Sequence, residues 1–287
     1  MKMKSMNLKK LFAMMMVLVM VLGCLAGCGG GSEEESGGTE VTGDQSLQSV
    51  LDSGKLHVAV SPDYAPYEYL DLLTGEIKGS DIEFAKHIGE ELGVEIVFEQ
   101  MSFESCLAAV NTGSVDLMIS CMGYSPERAE TMELSEQYNI HNNMTNTVLT
   151  TAELAPTLNV GEDFAGLVIA AQNGSTMYDK AADELPGVKE VKAISSIADG
   201  IMMLTEGKVD GVAMSSKVAE EFIENYDGLA VTGFQFAADK KGNVVGAPKG
   251  DVAMIEKVNE IIIAATEADL FLQWYEAAAE EAKSQGL

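Results

Sequence analysis

Val94-Glu95-Ile96-Val97-Phe98, then Phe103 through Asn111, then Val115-Asp116-Leu117-Met118-Ile119 decide the fold. The first and third runs are short, apolar and rich in β-branched residues, so they read as buried strands. The stretch between them is long enough for a helix and carries its apolar residues at helical spacing. Strand, helix, strand is the repeating unit of a mostly parallel α/β sheet. The pattern extends N-terminally. Lys55 to Val60 reads as a strand, and Ser61 to Tyr67 as a loop, because Pro62 and Pro66 interrupt regular pairing. A helix over Asp81 to Leu92 places Ile82, Ala85, Ile88, Gly89 and Leu92 on one face, and Gly93 ends it.

The second half follows the same grammar. Strands are predicted at Leu167–Ala171, Val188–Ala193 and Val209–Met214, alternating with helices at Ser175–Leu185, Ser196–Glu206 and Ser216–Tyr226. Helices over Val252–Ala265 and Leu270–Lys283 close the chain. Gly113-Ser114-Val115-Asp116 is echoed by Gly207-Lys208-Val209-Asp210, each between a helix and a strand. The echo predicts two similar lobes.

The chain has 287 residues and a formal charge of −27. So acidic a surface excludes a nucleic-acid footprint and is repelled by anionic lipid headgroups. It reads as solubility and says nothing about the charge of a ligand. No Cys/His cluster has zinc-like spacing, and His57, His87 and His141 are scattered. Neither metal nor cofactor is expected.

The N-terminal segment carries Lys2, Lys4, Lys9 and Lys10, then an apolar run from Leu11 to Leu25. This is a secretory signal pattern, and the run is short for a membrane span, which needs about 20 residues. Leu25-Ala26-Gly27-Cys28 resembles the lipobox of bacterial lipoproteins. That resemblance implies removal of residues 1–27 and a diacylglycerol anchor on Cys28; an uncleaved membrane anchor is the alternative. Cleavage would take all four leader lysines and leave a mature charge of −31. Residues 28–45 are Gly/Ser-rich and acidic, and read as a flexible tether. It resembles the tethers of Gram-positive surface lipoproteins, so the expected location is the outer face of the cytoplasmic membrane. Cys106 and Cys121 then remain. They could pair outside the cell, but two buried free thiols are the expectation.

Several ordered motifs together resemble the bacterial extracellular solute-binding proteins of family 3, the polar amino-acid uptake family. They are Ser61-Pro62-Asp63-Tyr64-Ala65-Pro66-Tyr67-Glu68; Gly79 to Ile82 with Ala85-Lys86; Ser125-Pro126-Glu127-Arg128 with Leu134-Ser135-Glu136-Gln137-Tyr138; Gln172-Asn173-Gly174-Ser175-Thr176; and Gly207-Lys208-Val209-Asp210. The resemblance spans about Lys55 to Leu287. It implies an α/β, two-lobed, type II periplasmic-binding-protein-like fold, each lobe a mostly parallel sheet flanked by helices. Lobe 1 would be 46–141 plus 244–287 and lobe 2 142–243. Two hinge strands would lie near His141–Thr147 and Asn243–Ala247, and the lobes would close on a ligand.

The resemblance also implies a site. Arg128 would hold the ligand's carboxylate, which its planar guanidinium fork suits. Ser175 and Thr176 would present a helix N-terminus to the same anion, although Ser175 also reads as a plain N-cap. Ser120, Cys121 and Gly123 would line the cleft with backbone groups, and Tyr64 and Phe103 would wall it. Three positions depart from the family pattern. Ser215 stands where an Asp commonly binds the α-ammonium, Ser61 where basic-amino-acid binders often carry an Asp, and Gly123 where a Ser is usual. A buried ammonium needs a charged partner. Glu68, Asp63 and Glu104 are the candidates, unless the ligand lacks a conventional ammonium.

The expected function is a monomeric, non-enzymatic binding protein. It would deliver an amino acid or related small carboxylate to an ABC permease energised by a separate ATPase subunit. Two alternatives stand beside it. One is a receptor-associated sensor. The other is a cyclohexadienyl-dehydratase-like enzyme, which would need a general acid in the cleft.

Overall fold

A computed structural model describes residues 44–139, 145–237 and 242–286. The leader, Cys28, the tether as far as residue 43, and the first hinge at 141–144 lie outside the described residues. The elements run α1 (Ser46–Ser53), β1 (Lys55–Val60), β2 (Asp63–Tyr64), β3 (Glu68–Leu70), β4 (Ile77–Lys78), α2 (Ser80–Leu92), β5 (Glu95–Gln100) and α3 (Phe103–Asn111). Next come β6 (Leu117–Met118), α4 (Pro126–Thr131), β7 (Met132–Leu134), β8 (Asn146–Thr151), β9 (Val168–Gln172), α5 (Thr176–Glu184), β10 (Glu190–Ile194) and α6 (Ile197–Thr205). The last are β11 (Gly211–Ser215), α7 (Ser216–Asn225), β12 (Leu229–Val231), β13 (Gly246–Pro248), α8 (Val252–Glu267) and α9 (Leu270–Gln285).

Two five-stranded sheets form the two lobes. The first has the order β5-β1-β6-β13-β7, the second β10-β9-β11-β8-β12. β1 lies parallel between β5 and β6, in register Val58↔Phe98 and Val58↔Leu117. β9 lies parallel between β10 and β11, with Ile169 opposite both Val191 and Gly211. In each sheet an antiparallel strand completes the set, β13 beside β6 and β8 beside β11. Both sheets are therefore mixed around a parallel core.

The four-residue echo does the same job twice. Gly113 and Gly207 end their helices in left-handed conformation, at φ 67° and 70°, where glycine carries no Cβ penalty. Three residues later the carboxylates of Asp116 and Asp210 accept from the backbone N–H of His57 and Val168, each at 2.7 Å. Their own N–H groups donate to the carbonyls of those two residues. Each aspartate thus clamps the returning chain beside the second strand of its sheet, β1 or β9.

The cores follow the apolar patterning. Val58, Val60, Ile82, Ile88, Leu117 and Ile119 are buried with Ile255, Ile262 and Phe271 of the C-terminal helices, so the chain's end returns to the first lobe. Val148, Phe164, Ile169, Ala171 and Phe234 fill the second. Another cluster joins the two: Tyr64, Tyr67 and Cys121 pack with Ile197, Met214 and Val218.

The differences from expectation are local. β6 is only Leu117–Met118, although the Asp116 and Ile119 N–H groups also bond to β1, at the His57 and Ala59 carbonyls. Within the proline-containing loop Asp63 and Tyr64 pair with Tyr69 and Glu68, giving a small antiparallel sheet with β4. Helix α1 has no counterpart in the sequence reading. Among the expected second-hinge residues, Asn243 bridges both Gly123 and Tyr138, and Gly246 and Ala247 belong to β13. Cys106 and Cys121 are free; Cys106 is buried, whereas Cys121 is partly exposed.

Candidate functional site

Arg128 sits in the first turn of α4, after Pro126 at the helix start. Ser125 caps that helix by accepting the Arg128 N–H at 3.2 Å, and N-caps of this kind fix a helix's first turn. The side chain is 8% exposed. One guanidinium nitrogen donates to the Gly123 carbonyl at 2.5 Å, the other to the Gly174 carbonyl at 2.8 Å. Its carbon lies 5.6 Å from the centre of the Phe103 ring, a cation–π arrangement. Among the described residues no carboxylate pairs with it. Burial lowers its pKa from 12.5 to about 10, with the charges of Asp179 and Glu127 opposing the shift only in part.

The Gly174 bond spans the two lobes, and the segment that follows supplies the other expected residues. Ser175 caps α5 by accepting the Tyr178 N–H at 3.2 Å. Thr176 opens the helix and faces Gly123, where a Cβ would lie 3.4 Å from its hydroxyl oxygen. Ser215 caps α7 through Val218, and its own N–H donates to the Tyr64 hydroxyl at 3.0 Å. The Tyr64 ring stacks on Tyr67 at 6.1 Å. Tyr64, Gly123, Arg128, Thr176 and Ser215 are thus brought together where the lobes meet, and Phe103 backs the guanidinium.

Glu68 turns inward. One oxygen accepts the Ser61 N–H at 3.0 Å and the other accepts the Ser120 hydroxyl. It is 1% exposed, and burial, then neighbouring Asp81, push its carboxyl well above the ordinary range. Ser61 also donates its hydroxyl to Asp63 at 3.1 Å. Glu104 lies beside Gly174 and lines a polar cavity of about 90 Å³ with Ser102, Asn173 and Ser195.

Two parts of the arrangement escaped the sequence reading. Asp81, in the first turn of α2, accepts the Cys121 N–H at 2.6 Å and the Tyr138 hydroxyl at 2.9 Å. It thereby holds the Ser120–Gly123 loop, in which Cys121 has φ 45°. Burial raises its carboxyl from 3.8 to about 6. Gln172 closes β9 and sends its amide to Asp63. Both fall within the family-like motifs, but nothing local assigned the role: Asp81 looks like any acid at a helix start, and Gln172 like any residue ending a strand.

Among the described residues no group of acids, histidines or cysteines has the arrangement of a metal site, and no helix is long and apolar enough to cross a membrane.

The family model for bacterial extracellular solute-binding proteins, family 3, matches residues 56–277. The arginine-binding extracellular protein ArtP of Bacillus subtilis is 28% identical over 224 residues, 76% of this chain and 84% of that protein. The L-cystine-binding protein TcyA of the same organism is 26% identical, covering 70% of this chain and 71% of that one. Among solved structures, an amino acid ABC transporter substrate-binding protein, AbpA from Streptococcus pneumoniae bound to L-arginine, superposes with a TM-score of 0.77 at 32% identity. The match covers 82% of this chain and 98% of that one. By the extent of the family match and the shared two-lobed architecture, this chain belongs to the family 3 bacterial extracellular solute-binding proteins.

Proposed function

We propose that this protein is the extracytoplasmic binding component of an ABC importer, held to the membrane by a lipid on Cys28. It captures an amino acid between its lobes with the ligand's carboxylate on Arg128. The observation that carries the reading is Arg128 itself: a buried guanidinium bonded to two backbone carbonyls and, among the described residues, to no acid. Such a group is stabilised by an arriving anion. The Thr176 hydroxyl and the start of α5 lie on the far side of Gly123, where helix N–H groups add to the same anion site. Relatives that bind arginine and cystine support a ligand with an ordinary α-amino group.

The ammonium then needs acceptors other than an acid at position 215. Glu104, beside Gly174 at the polar cavity, is one candidate. Closure of the lobes presents a surface to a permease, and a separate ATPase subunit powers transport. The test is a thermal-shift screen of residues 39–287 against amino acids, N-modified analogues and simple carboxylates. A ligand at 100 times its dissociation constant stabilises the protein by about 2.7 kcal/mol. A hit among α-amino acids supports the reading, whereas hits restricted to acids lacking an ammonium refute the amino-acid assignment.

A further inference from the structure

Helix α6 of the second lobe is capped twice. Its own N-cap is Ser196, whose hydroxyl accepts the Asp199 N–H at 3.1 Å. That leaves the N–H of Ile197, the first helical residue, which no carbonyl of its own helix can reach. It donates at 2.9 Å to Asp63, 134 residues away in sequence and part of the first lobe. A carboxylate at a helix start meets a free donor and the positive end of the helix dipole together.

The same half-buried carboxylate holds a second element of that lobe. The Gln172 amide nitrogen, at the end of β9, lies 3.1 and 3.4 Å from its two oxygens. Two residues further on, the Gly174 carbonyl accepts from Arg128. The segment between β9 and α5 is therefore gripped by the first lobe at both ends, and it is the segment that brings the start of α5 to Arg128. From its own loop, the Ser61 hydroxyl braces Asp63 at 3.1 Å. Burial raises the Asp63 carboxyl above its ordinary value, while the Ile197, Ser61 and Gln172 bonds pull it back. Another contact joins the lobes, between Lys283 of α9 and Glu224 of α7 at 2.6 Å. Its side chains are 65% and 53% exposed, and ion pairs so open to water contribute little.

We propose that Asp63 is a latch between the lobes. By capping α6 and holding Gln172 it sets how long the lobes stay closed on an amino acid, without selecting that amino acid. This rests on the reading that the ligand sits between the lobes with its carboxylate on Arg128. Each time the lobes part, a charged hydrogen bond at a helix start must break, so the latch acts on release. All of its partners are groups of the protein, so it works with or without a bound amino acid.

The experiment uses two variants. Asp63→Asn keeps an oxygen acceptor and removes the charge; Asp63→Ala removes both. The first readout is hydrogen exchange at the Ile197 amide, followed by NMR in protein without added amino acid. The second is the dissociation rate of arginine, glutamine and cystine by stopped-flow displacement. Asp63→Ala should speed both readouts at least about tenfold, by the same factor for every amino acid that binds, with Asp63→Asn between. Lys283→Ala should leave both within about twofold of wild type. Ile197 exchange unchanged in Asp63→Ala would overturn the latch. Faster release of arginine alone would overturn it too, because Asp63 would then contact the ligand's side chain. Acceleration by Lys283→Ala equal to that by Asp63→Ala would remove Asp63 from its special place. If none of the amino acids binds, the Arg128 reading fails, and Ile197 exchange by itself decides whether Asp63 holds the lobes together.

Discussion

Replacing Arg128 with methionine tests the site at its most exposed assumption. The guanidinium makes two hydrogen bonds to carbonyls and lies over the Phe103 ring, and among the described residues no carboxylate bonds to it. The fall of its pKa from 12.5 to about 10 corresponds to a penalty of about 3 kcal/mol on the charged form. The group stays protonated through neutral pH, so that penalty is present throughout the working range. A bound carboxylate relieves it, which sets the expected contribution of Arg128 to affinity at about 3 kcal/mol, or roughly 100-fold. Methionine keeps much of the stem's packing and removes the charge. The two lost hydrogen bonds, about 2 kcal/mol each, are largely offset by the end of the burial penalty. Unfolding stability should therefore drop by only about 1 kcal/mol, while affinity falls roughly 100-fold. Titration calorimetry and urea unfolding on the same variant separate the two quantities. Arg128→Lys, which keeps the charge and loses the fork, should fall between. Affinity of the methionine variant within twofold of wild type would refute the carboxylate clamp.

Three further outcomes follow from the same geometry. Asp81 is fully buried with its carboxyl raised from 3.8 to about 6, so the folded state holds this proton more tightly than the unfolded chain. Its contribution favours folding below about pH 4 and is lost as pH rises to about 6, about 3 kcal/mol in all. Asp81→Asn should flatten urea-derived stability between those values, and an unchanged slope would remove Asp81 from the account. Gly79→Ala places a Cβ 2.1 Å from the Tyr67 carbonyl oxygen at φ 130°, so stability should drop by at least about 2 kcal/mol; a loss under half that would contradict the packing described. Ser215→Asp keeps a good N-cap for α7 and should change stability by under about 0.5 kcal/mol. It should raise affinity for ligands with a free α-ammonium, and unchanged affinity would mean the ammonium does not approach position 215.

The sheet architecture was legible because its cause is local. A strand buried on both faces, a helix with one apolar stripe and a glycine at its end all leave their period within a dozen residues. The Gly-x-Val-Asp echo went further, since its aspartates proved to act on the strand already formed, at the same place in each lobe. The turn that carries Arg128 was legible for a related reason: Ser125 caps it and Pro126 opens it. Element ends were less so. β6 spans only Leu117–Met118 although the Ile119 N–H still bonds the Ala59 carbonyl, an end that apolar patterning does not record.

The partners of the candidate acids were hidden for a different reason. Asp63 meets Ile197 and Gln172 across 134 and 109 residues, and these contacts exist only where two separately folded lobes come together. Glu68, on one short strand, was an open choice between cleft and interior; the Ser61 N–H and Ser120 hydroxyl turned it inward. Composition cannot substitute for that information. With 45 acids in the chain, one more aspartate carries no signal, and net charge reports the solvated surface. What distinguishes Arg128 is that its guanidinium is 8% exposed and rests on two backbone carbonyls, with no carboxylate bonded to it among the described residues. Folding alone gives little reason to bury a cation at such cost. An anionic ligand gives one.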